Sequence, residues 1–280
     1  MQQKNPYEIE TPALISFSGG RTSAYMLYKI NEAYNYNMPN DIFVTFANTG
    51  KEAEETLEFV DKCAREWNIN IHWLEHYYGT ERPIHRTKEV CFKTAARNGE
   101  PFERLLDARK ILPNPASRFC SSELKIKVMY RFMRQQGYKT WVNVLGLRYD
   151  EPRRAISARN ANYQVWENIV PLYDAQVTNE DVLEFWQKHN FDLQLNSIGG
   201  KTIAGNCDLC FLKSTQSITA LLREKPDLAD WWIDQESKFG NQSGAKFRRD
   251  RDYIQLVELS KQGDMLIAND ISTETCFCHD

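Results

Sequence analysis

The chain reads as an α/β protein, a parallel sheet with helices on both faces, and three observations predict it. Short β-prone apolar runs alternate with segments whose apolar residues recur at helical spacing. Glycine-bearing turns fall where the first two runs give way to the helices after them. With 280 residues, 42% of them hydrophobic, the chain can bury a sizeable core without staples.

Leu14-Ile-Ser-Phe17 is the first strand, followed by the tight loop Ser18-Gly-Gly-Arg-Thr-Ser23 and a helix that places Ala24, Met26, Leu27 and Ile30 on one face. Ile42-Phe-Val-Thr-Phe-Ala47 is the second strand. It closes at Asn48-Thr-Gly50 and leads into a helix from Glu52 to Trp67, with Ala53, Leu57, Val60 and Ala64 at helical spacing. Asn70 to Leu74 reads as the third strand. Residues 75–117 form a longer excursion, suited to covering a ligand, in which Pro83, Pro101, Pro113 and Pro115 interrupt short helices. The basic segment after it is a helix with Leu124, Val128, Phe132 and Met133 as its buried stripe, and Trp141-Val-Asn-Val-Leu-Gly146 is a later central strand.

Beyond Pro171, Asn179 to Trp186 is a helix capped by Thr178, with Asp181 at N3 as a shorter variant of the capping box. A Gly-rich turn, Ile198-Gly-Gly-Lys201, precedes Cys207-Asp-Leu-Cys210 and further short helices. Trp186, Trp231 and Trp232 read as core contacts. Without repeats or a flexible linker, residues 1–175 are expected to form the sheet-bearing core with an insertion at 75–117. Residues 176–280 are then a helical, cysteine-bearing elaboration packed on it.

Charge and composition narrow the function. No apolar run approaches the roughly 20 residues that span a bilayer, so a membrane protein is excluded. The opening Met1 to Pro6 has neither a secretory apolar stretch nor an arginine-rich leader, which predicts a cytoplasmic location. Seven cysteines are an odd number in a chain that does not need them for size, and metal, iron-sulfur or thiol chemistry is left as their purpose. A net charge of -3 argues against a generic polyanion binder, yet residues 118–159 carry ten Lys or Arg against three acids. That segment can attract a nucleotide or a nucleic-acid backbone, or form a solvated helix face.

The Ser18–Ser23 loop sets two residues without side chains between a strand and a helix, with hydroxyls beside the helix N-terminus. Backbone N–H groups there can cradle phosphate oxygens and gain from the helix dipole. The spacing is neither that of a Walker loop nor that of a dinucleotide fingerprint, and glycines at such a turn can also serve the turn alone.

Several segments together resemble the adenine nucleotide alpha-hydrolase superfamily of PP-loop ATP pyrophosphatases, and within it the phosphoadenosine-phosphosulfate (PAPS) reductase-like family. They are Ser16-Phe-Ser-Gly-Gly-Arg-Thr-Ser23, Ala47-Asn-Thr-Gly-Lys-Glu52 with Glu55-Thr56, Leu145-Gly-Leu-Arg148-Tyr-Asp-Glu-Pro-Arg153-Arg154, and Pro171-Leu through Asp181-Val182. The resemblance spans about residues 13 to 240. It implies a Rossmann-like, HUP-type sheet that binds ATP or PAPS. Its cofactor-binding residues would be Ser16, Phe17, Ser18, Gly19, Gly20, Arg21, Thr22, Ser23, Asn48, Thr49, Gly50, Lys125, Gly146 and Arg148, with adenine read by backbone near Ile15–Ser18 and Phe46–Asn48. Arg148, Arg153 and Arg154 are candidate catalytic groups on phosphate or sulfate oxygens. Asp150 and Glu151 would position them or bind Mg2+.

A lone Cys207-x-x-Cys210 supplies half a metal site and does not name the metal. The resemblance adds Cys120 and implies a [4Fe-4S] cluster on Cys120, Cys207 and Cys210, completed by Cys276 or Cys278, or left with one iron exposed. Ser121 stands where cluster-bearing sulfonucleotide reductases have a second adjacent cysteine, so four ligands do not carry over directly. Structural Zn2+ on the three thiols and Cys276, Cys278 or His279 is the alternative. Cys63 and Cys91 read as a buried helix residue and an isolated thiol. The tail Glu274-Thr-Cys276-Phe-Cys278-His279 resembles the reductases' mobile nucleophile in position, which makes Cys276 and Cys278 candidate catalytic thiols.

Two reactions suit this constellation. One cleaves ATP to AMP and pyrophosphate, activating a tRNA or DNA acceptor for sulfur transfer with a sulfur-donor protein. The other reduces PAPS or APS to sulfite with a thiol reductant. A non-catalytic nucleotide-binding protein is the third reading.

Overall fold

The structure, a computed structural model, describes residues 5–79, 85–161, 163–198, 201–243 and 245–262. The strand and helix alternation of the first half appears as expected. Strand β1 (Ala13–Ser16) leads to helix α1 (Arg21–Ala33), β2 (Ile42–Asn48) to α2 (Glu54–Glu66), and then comes β3 (Ile71–Tyr78). Next follow β4 (His85–Val90), α3 (Glu100–Arg109), a one-turn α4 (Phe119–Ser121), a π turn (Ser122–Ile126) and α5 (Lys127–Gln135). The sheet is completed by β5 (Trp141–Val144), α6 (Pro152–Asn160) and β6 (Trp166–Ile169).

The six strands lie in the order β4-β3-β2-β1-β5-β6, parallel except for β4. Alternation along β1 assigns the two faces. Ile15 and Phe17 enter one apolar cluster with Met26, Leu27, Val60 and Trp186, whereas Leu14 enters another with Val128, Phe132 and Met133 of α5. Leu124, Val128, Phe132 and Met133 are all buried, as their spacing predicts, each contributing about 1.5–3 kcal/mol by leaving water.

Two features of residues 75–117 differ from the short helices expected there. Strand β3 continues to Tyr78, four residues past Leu74, and 85–90 add an antiparallel edge strand. The charged run His85-Arg-Thr-Lys-Glu-Val90 hides this strand, because an edge strand with a solvated face needs no apolar alternation.

The later chain continues with α7 (Pro171–Asp174), α8 (Asn179–Lys188), the short pair β7 (Ser197–Ile198) and β8 (Lys201–Thr202), α9 (Thr215–Glu224), α10 (Ala229–Ser243) and α11 (Tyr253–Ser260). Gly199 and Gly200 of the expected turn lie outside the described residues. Thr178 and Asp181 form the predicted capping box at the start of α8. Helix α8 also reaches the first loop, where Trp186 Nε1 donates to the Arg21 carbonyl at 3.0 Å. A second core joins Phe102, Leu105 and Leu106 of α3 to Leu209, Phe211, Trp232 and Tyr253, packing the cysteine-bearing segment against the excursion. Among the described residues, no helix is long and apolar enough to cross a membrane.

Candidate nucleotide and cysteine site

The loop after β1 has the backbone that its glycines allow. Gly19 adopts φ +80, and a Cβ there would stand 2.7 Å from Thr56 Cγ2 and 3.1 Å from Val60 Cγ2. The loop is thus drawn tightly onto the N-terminal part of α2. Helix α1 begins with Gly20 as its N-cap, without a side-chain cap or an acid in its first turn. The Gly20 N–H donates to Ser18 Oγ at 3.4 Å, and the positive dipole end of the helix faces the loop. Ser23 holds the loop's shape: its Oγ donates to the Gly20 carbonyl at 3.0 Å and lies 2.8 Å from Ser18 Oγ. Thr56 Oγ1 is buried and has no hydrogen-bond partner.

The arginine segment reaches the same loop. Gly146 packs against Ser23, whose Cα would lie 3.2 Å from a Cβ at that position. Arg148 Nη1 donates to Thr22 Oγ1 at 2.9 Å and Arg148 Nε to Asp150 at 3.0 Å, while Glu151 pairs with both Arg148 and Arg154. Asp150 and Glu151 therefore hold guanidinium groups. Arg154 Nη2 is buried without a hydrogen-bond partner, and Arg153 is exposed. The Arg21 guanidinium makes a paired contact with Asp192 at 2.7 and 2.8 Å and donates to the Leu193 carbonyl at 2.7 Å.

At the end of β2, Asn48 is consumed by structure. Its amide donates to Glu75 at 2.7 Å and to the Ala96 carbonyl at 2.9 Å, and its Oδ1 accepts from Gly50. Thr49 is the junction with the cysteines. Its hydroxyl lies 2.9 Å from both carboxylate oxygens of buried Glu52 and 3.4 Å from Cys207 Sγ. Glu52 bridges Cys207 through backbone, Asp208 N–H donates to the Lys51 carbonyl, and Lys51 pairs with Asp208 at 2.9 Å with both side chains under 10% exposed. Trp232 Nε1 donates to that same carboxylate. Burial and then the Glu52 carboxylate push the Cys207 thiol up, opposed by Lys125 and Thr49. Burial likewise raises Glu52, against Lys125 and the Thr49 bonds.

Cys120, Cys207 and Cys210 pack on one apolar cluster, whereas Cys63 is buried in α2 and Cys91 is exposed. Cys276, Cys278 and His279 lie outside the described residues. The three thiols are not gathered within 4.8 Å of one another; among the described residues only His76, His85 and Glu123 are. That trio carries Arg109, Lys127 and Arg131 against one carboxylate, a field that opposes a divalent cation. Burial, then Arg131, takes His76 down to about 4. Against the desolvation of Glu123, hydrogen bonds from Lys127 and Arg109 hold its carboxyl at about 2.

A solvent-open cleft, about 770 Å³ with its open mouth included, lies at the carboxyl ends of β1 and β2. Ser16, Phe17, Ser18 and Ala47 line one end, at the C-terminal edge of β1 and β2. Ser121, Lys125, Ile126 and Met129 form its wall. Lys125 lines the cleft and donates to Asn206 at 3.0 Å, next to Cys207, and Ser121 adjoins Cys120. The Thr49–Glu52–Cys207 junction and the Lys51–Asp208 pair join residues about 158 positions apart and leave no spacing pattern in the linear chain. A buried acid inside the C-x-x-C, needing a cation, was the one available signal.

A glycine loop before a helix without a side-chain cap, at the carboxyl edge of a mostly parallel sheet, marks an α/β protein with an arrangement that can hold a phosphate. Residues 12–198 match the family described as the phosphoadenosine phosphosulfate reductase domain, and the chain belongs to that family. It is 29% identical over 227 residues to the nin region protein ORF290 of Escherichia phage lambda, covering 77% of this chain and 71% of the phage protein. Two proteins of Methanocaldococcus jannaschii are 25% and 24% identical over 82% and 86% of this chain, which spans only 42% and 50% of their lengths. Among solved structures, it is similar to phosphoadenylyl-sulfate reductase from Candida auris, with TM-score 0.45 and 15% identity, over 70% of this chain and 88% of that one. It is also similar to the U34-tRNA thiolase NcsA from Methanococcus maripaludis with its [4Fe-4S] cluster, with TM-score 0.42 and 15% identity, over 95% and 79%.

Proposed function

We propose that the protein cleaves ATP to AMP and pyrophosphate, so as to activate an acceptor for sulfur transfer at the adjoining cysteines. The observation that carries this reading is the shared cleft. Its phosphate-loop end and its Ser121–Lys125 wall, beside Cys120 and Cys207, face one space. An acceptor oxygen would attack the α phosphorus, pyrophosphate would leave, and a sulfur nucleophile would then displace AMP.

In this reading the N–H groups around Gly19, Gly20 and Thr22 cradle phosphate, and Thr56 Oγ1 supplies a buried hydroxyl beside them. Arg148 and Arg154, held by Asp150 and Glu151, offer guanidinium donors to charge that develops on the phosphoryl oxygens. Mg2+ would enter on the ATP phosphates, because both carboxylates are already engaged by arginine.

The three cysteines that share one apolar cluster are soft thiolate ligands suited to an iron-sulfur cluster, with zinc as the alternative. Thiolates on one zinc ion lie about 3.8 Å apart, as bond lengths of about 2.3 Å and a tetrahedral angle require, whereas on a cluster each thiolate binds a different iron. Cys120, Cys207 and Cys210 would hold the [4Fe-4S] group, with Cys276 as fourth ligand or one iron left open. The cluster would supply a thiophilic site for the transferred sulfur.

The family match supports a second reading, thiol-dependent reduction of PAPS or APS to sulfite, with a tail cysteine as nucleophile. Anaerobically purified protein offered ATP or PAPS, with RNA and DNA acceptors, separates the two by mass spectrometry. AMP and pyrophosphate support activation, sulfite supports reduction, and binding without product defeats both. A brown chromophore with equal iron and acid-labile sulfide, lost in Cys207→Ser and retained in Cys63→Ser, checks the cluster.

A further inference from the structure

The phosphate loop accounts for only one end of the cleft. The remainder is floored by Leu14, Trp141, Asn143 and Trp166 and walled by Met129 and Tyr130 of α5. Three of these residues belong to an aromatic array. Trp141 and Trp166, register partners on β5 and β6, stack with centroids 5.6 Å apart and planes 22° from parallel. Tyr163 stacks on Trp166 at 4.5 Å and 25°, and Tyr130 stands about equally far from both tryptophans, at 6.0 and 6.2 Å. Trp166 is half-buried, while Tyr163 is 44% exposed and carries the array to the surface.

We infer that this aromatic half of the cleft is a second base site, which takes a nucleobase of a single-stranded nucleic acid beside the bound mononucleotide. The inference deepens the proposed function by naming the acceptor class, and it rests on the placement of the mononucleotide at the loop. Strand spacing separates the two sites. A base read by backbone at the ends of β1 and β2 lies two to three strand spacings from β6, roughly 10–14 Å. One ring cannot reach both.

Charge selects the occupant. On helix α5, Lys127 and Arg131 pair with Glu123, which leaves Arg134, following Ile126 and Tyr130 on one stripe at four-residue spacing, as the cation toward the cleft. Helix α6, whose Ala155 shares an apolar cluster with the cleft residue Leu145, pairs Arg154 with Glu151 and Arg159 with Asp174 and presents Arg153 to solvent. The nearest acid in the floor strands, Glu167, alternates to the opposite face from Trp166. Stacking rings beside cationic helices suit a chain that alternates bases with phosphates. Asn143, whose amide donates to Asn168 at 2.8 Å, keeps its Oδ1 for a base edge.

The test is fluorescence anisotropy of labelled twelve-nucleotide oligo-dT and oligo-rU against the full chain at low and moderate salt, with ATP affinity measured in parallel. Wild-type protein should bind at least one strand in a salt-dependent manner. Trp166→Ala and Tyr130→Ala should each weaken that binding about tenfold and change ATP affinity less than twofold, whereas Trp166→Phe, which keeps a stacking face, should retain most of it. Tyr163→Ala, at an exposed position, gives a milder loss without risk to folding. No strand binding by the wild type, or equal binding by all variants, overturns the inference. So does a parallel loss of ATP affinity in Trp166→Ala, which would assign the rings to the mononucleotide. Strand binding that responds to these substitutions while ATP yields no AMP leaves the base site standing and removes the reaction proposed above.

Discussion

Gly19→Ala tests whether the first loop is shaped for a ligand or merely turns the chain. At φ +80 an alanine is strained by roughly 1–2 kcal/mol. Its methyl carbon would also stand 2.7 Å from Thr56 Cγ2, 3.1 Å from Val60 Cγ2 and 3.2 Å from Phe46 Cε2. All three neighbours are buried, so relief requires α2 to move from the loop, an overpacking cost of about 1–3 kcal/mol. Gly137→Ala is the matched control, because Gly137 has φ +91 and nothing within 4 Å of an added Cβ. The two variants share the backbone cost, and their difference isolates the packing contribution. Urea melts should show Gly19→Ala less stable than Gly137→Ala by about 1–3 kcal/mol. Calorimetry should show ATP affinity falling more than about tenfold for Gly19→Ala alone, since α1 would no longer present its first N–H groups at the same place. Equal stabilities in the two variants, together with wild-type ATP affinity in Gly19→Ala, would refute the reasoning.

Other expectations follow from the same geometry. Lys51→Met or Asp208→Asn leaves one partner of a buried pair uncompensated and should cost about 3–5 kcal/mol in denaturant unfolding; Lys51→Met with Asp208→Leu should recover much of it. Acid should destabilise the fold in two successive windows. His76 binds its proton only near pH 4 when folded but near 6.5 when unfolded, so stability falls as the pH drops between those values. Glu123, held at about 2, contributes stability that is present above about 4.5 and is lost as the pH falls toward 2. Thermal melts of His76→Asn and Glu123→Gln should flatten the upper and lower windows respectively. Ser23→Ala removes the hydroxyl that pins Ser18 to Gly20 and should lower kcat/KM for AMP formation by about ten- to a hundredfold; unchanged turnover and affinity would defeat the loop assignment.

The features legible in the sequence were those whose causes lie within a few residues. The Thr178–Asp181 capping box, the glycine loop before α1 and the apolar spacing of α5 each carry a pattern written within about three helical turns of chain, although the last two then pack against distant residues. Strand β4 was hidden because its charged side chains meet solvent at the sheet edge. The direction of Arg21 was hidden too, since the resemblance placed it with the loop while its partner, Asp192, lies 171 residues away. In the same way, Lys125 was identified as a phosphate contact, but its hydrogen bond to Asn206 spans 81 residues.

The sequence by itself determined the first three strands and the helices between them, the glycine loop, the local excess of arginine and lysine, and which cysteines have a motif around them. Only the tertiary structure decided that Thr49 at the end of β2 touches Cys207, that Arg148 reaches Thr22, and that one cleft continues from the loop to the tryptophans of β5 and β6. The physical reason is the reach of each kind of information. Backbone propensity and capping act over one or two turns, whereas a parallel sheet gathers the carboxyl ends of strands far apart in sequence along one edge, where side chains that share no local pattern become neighbours.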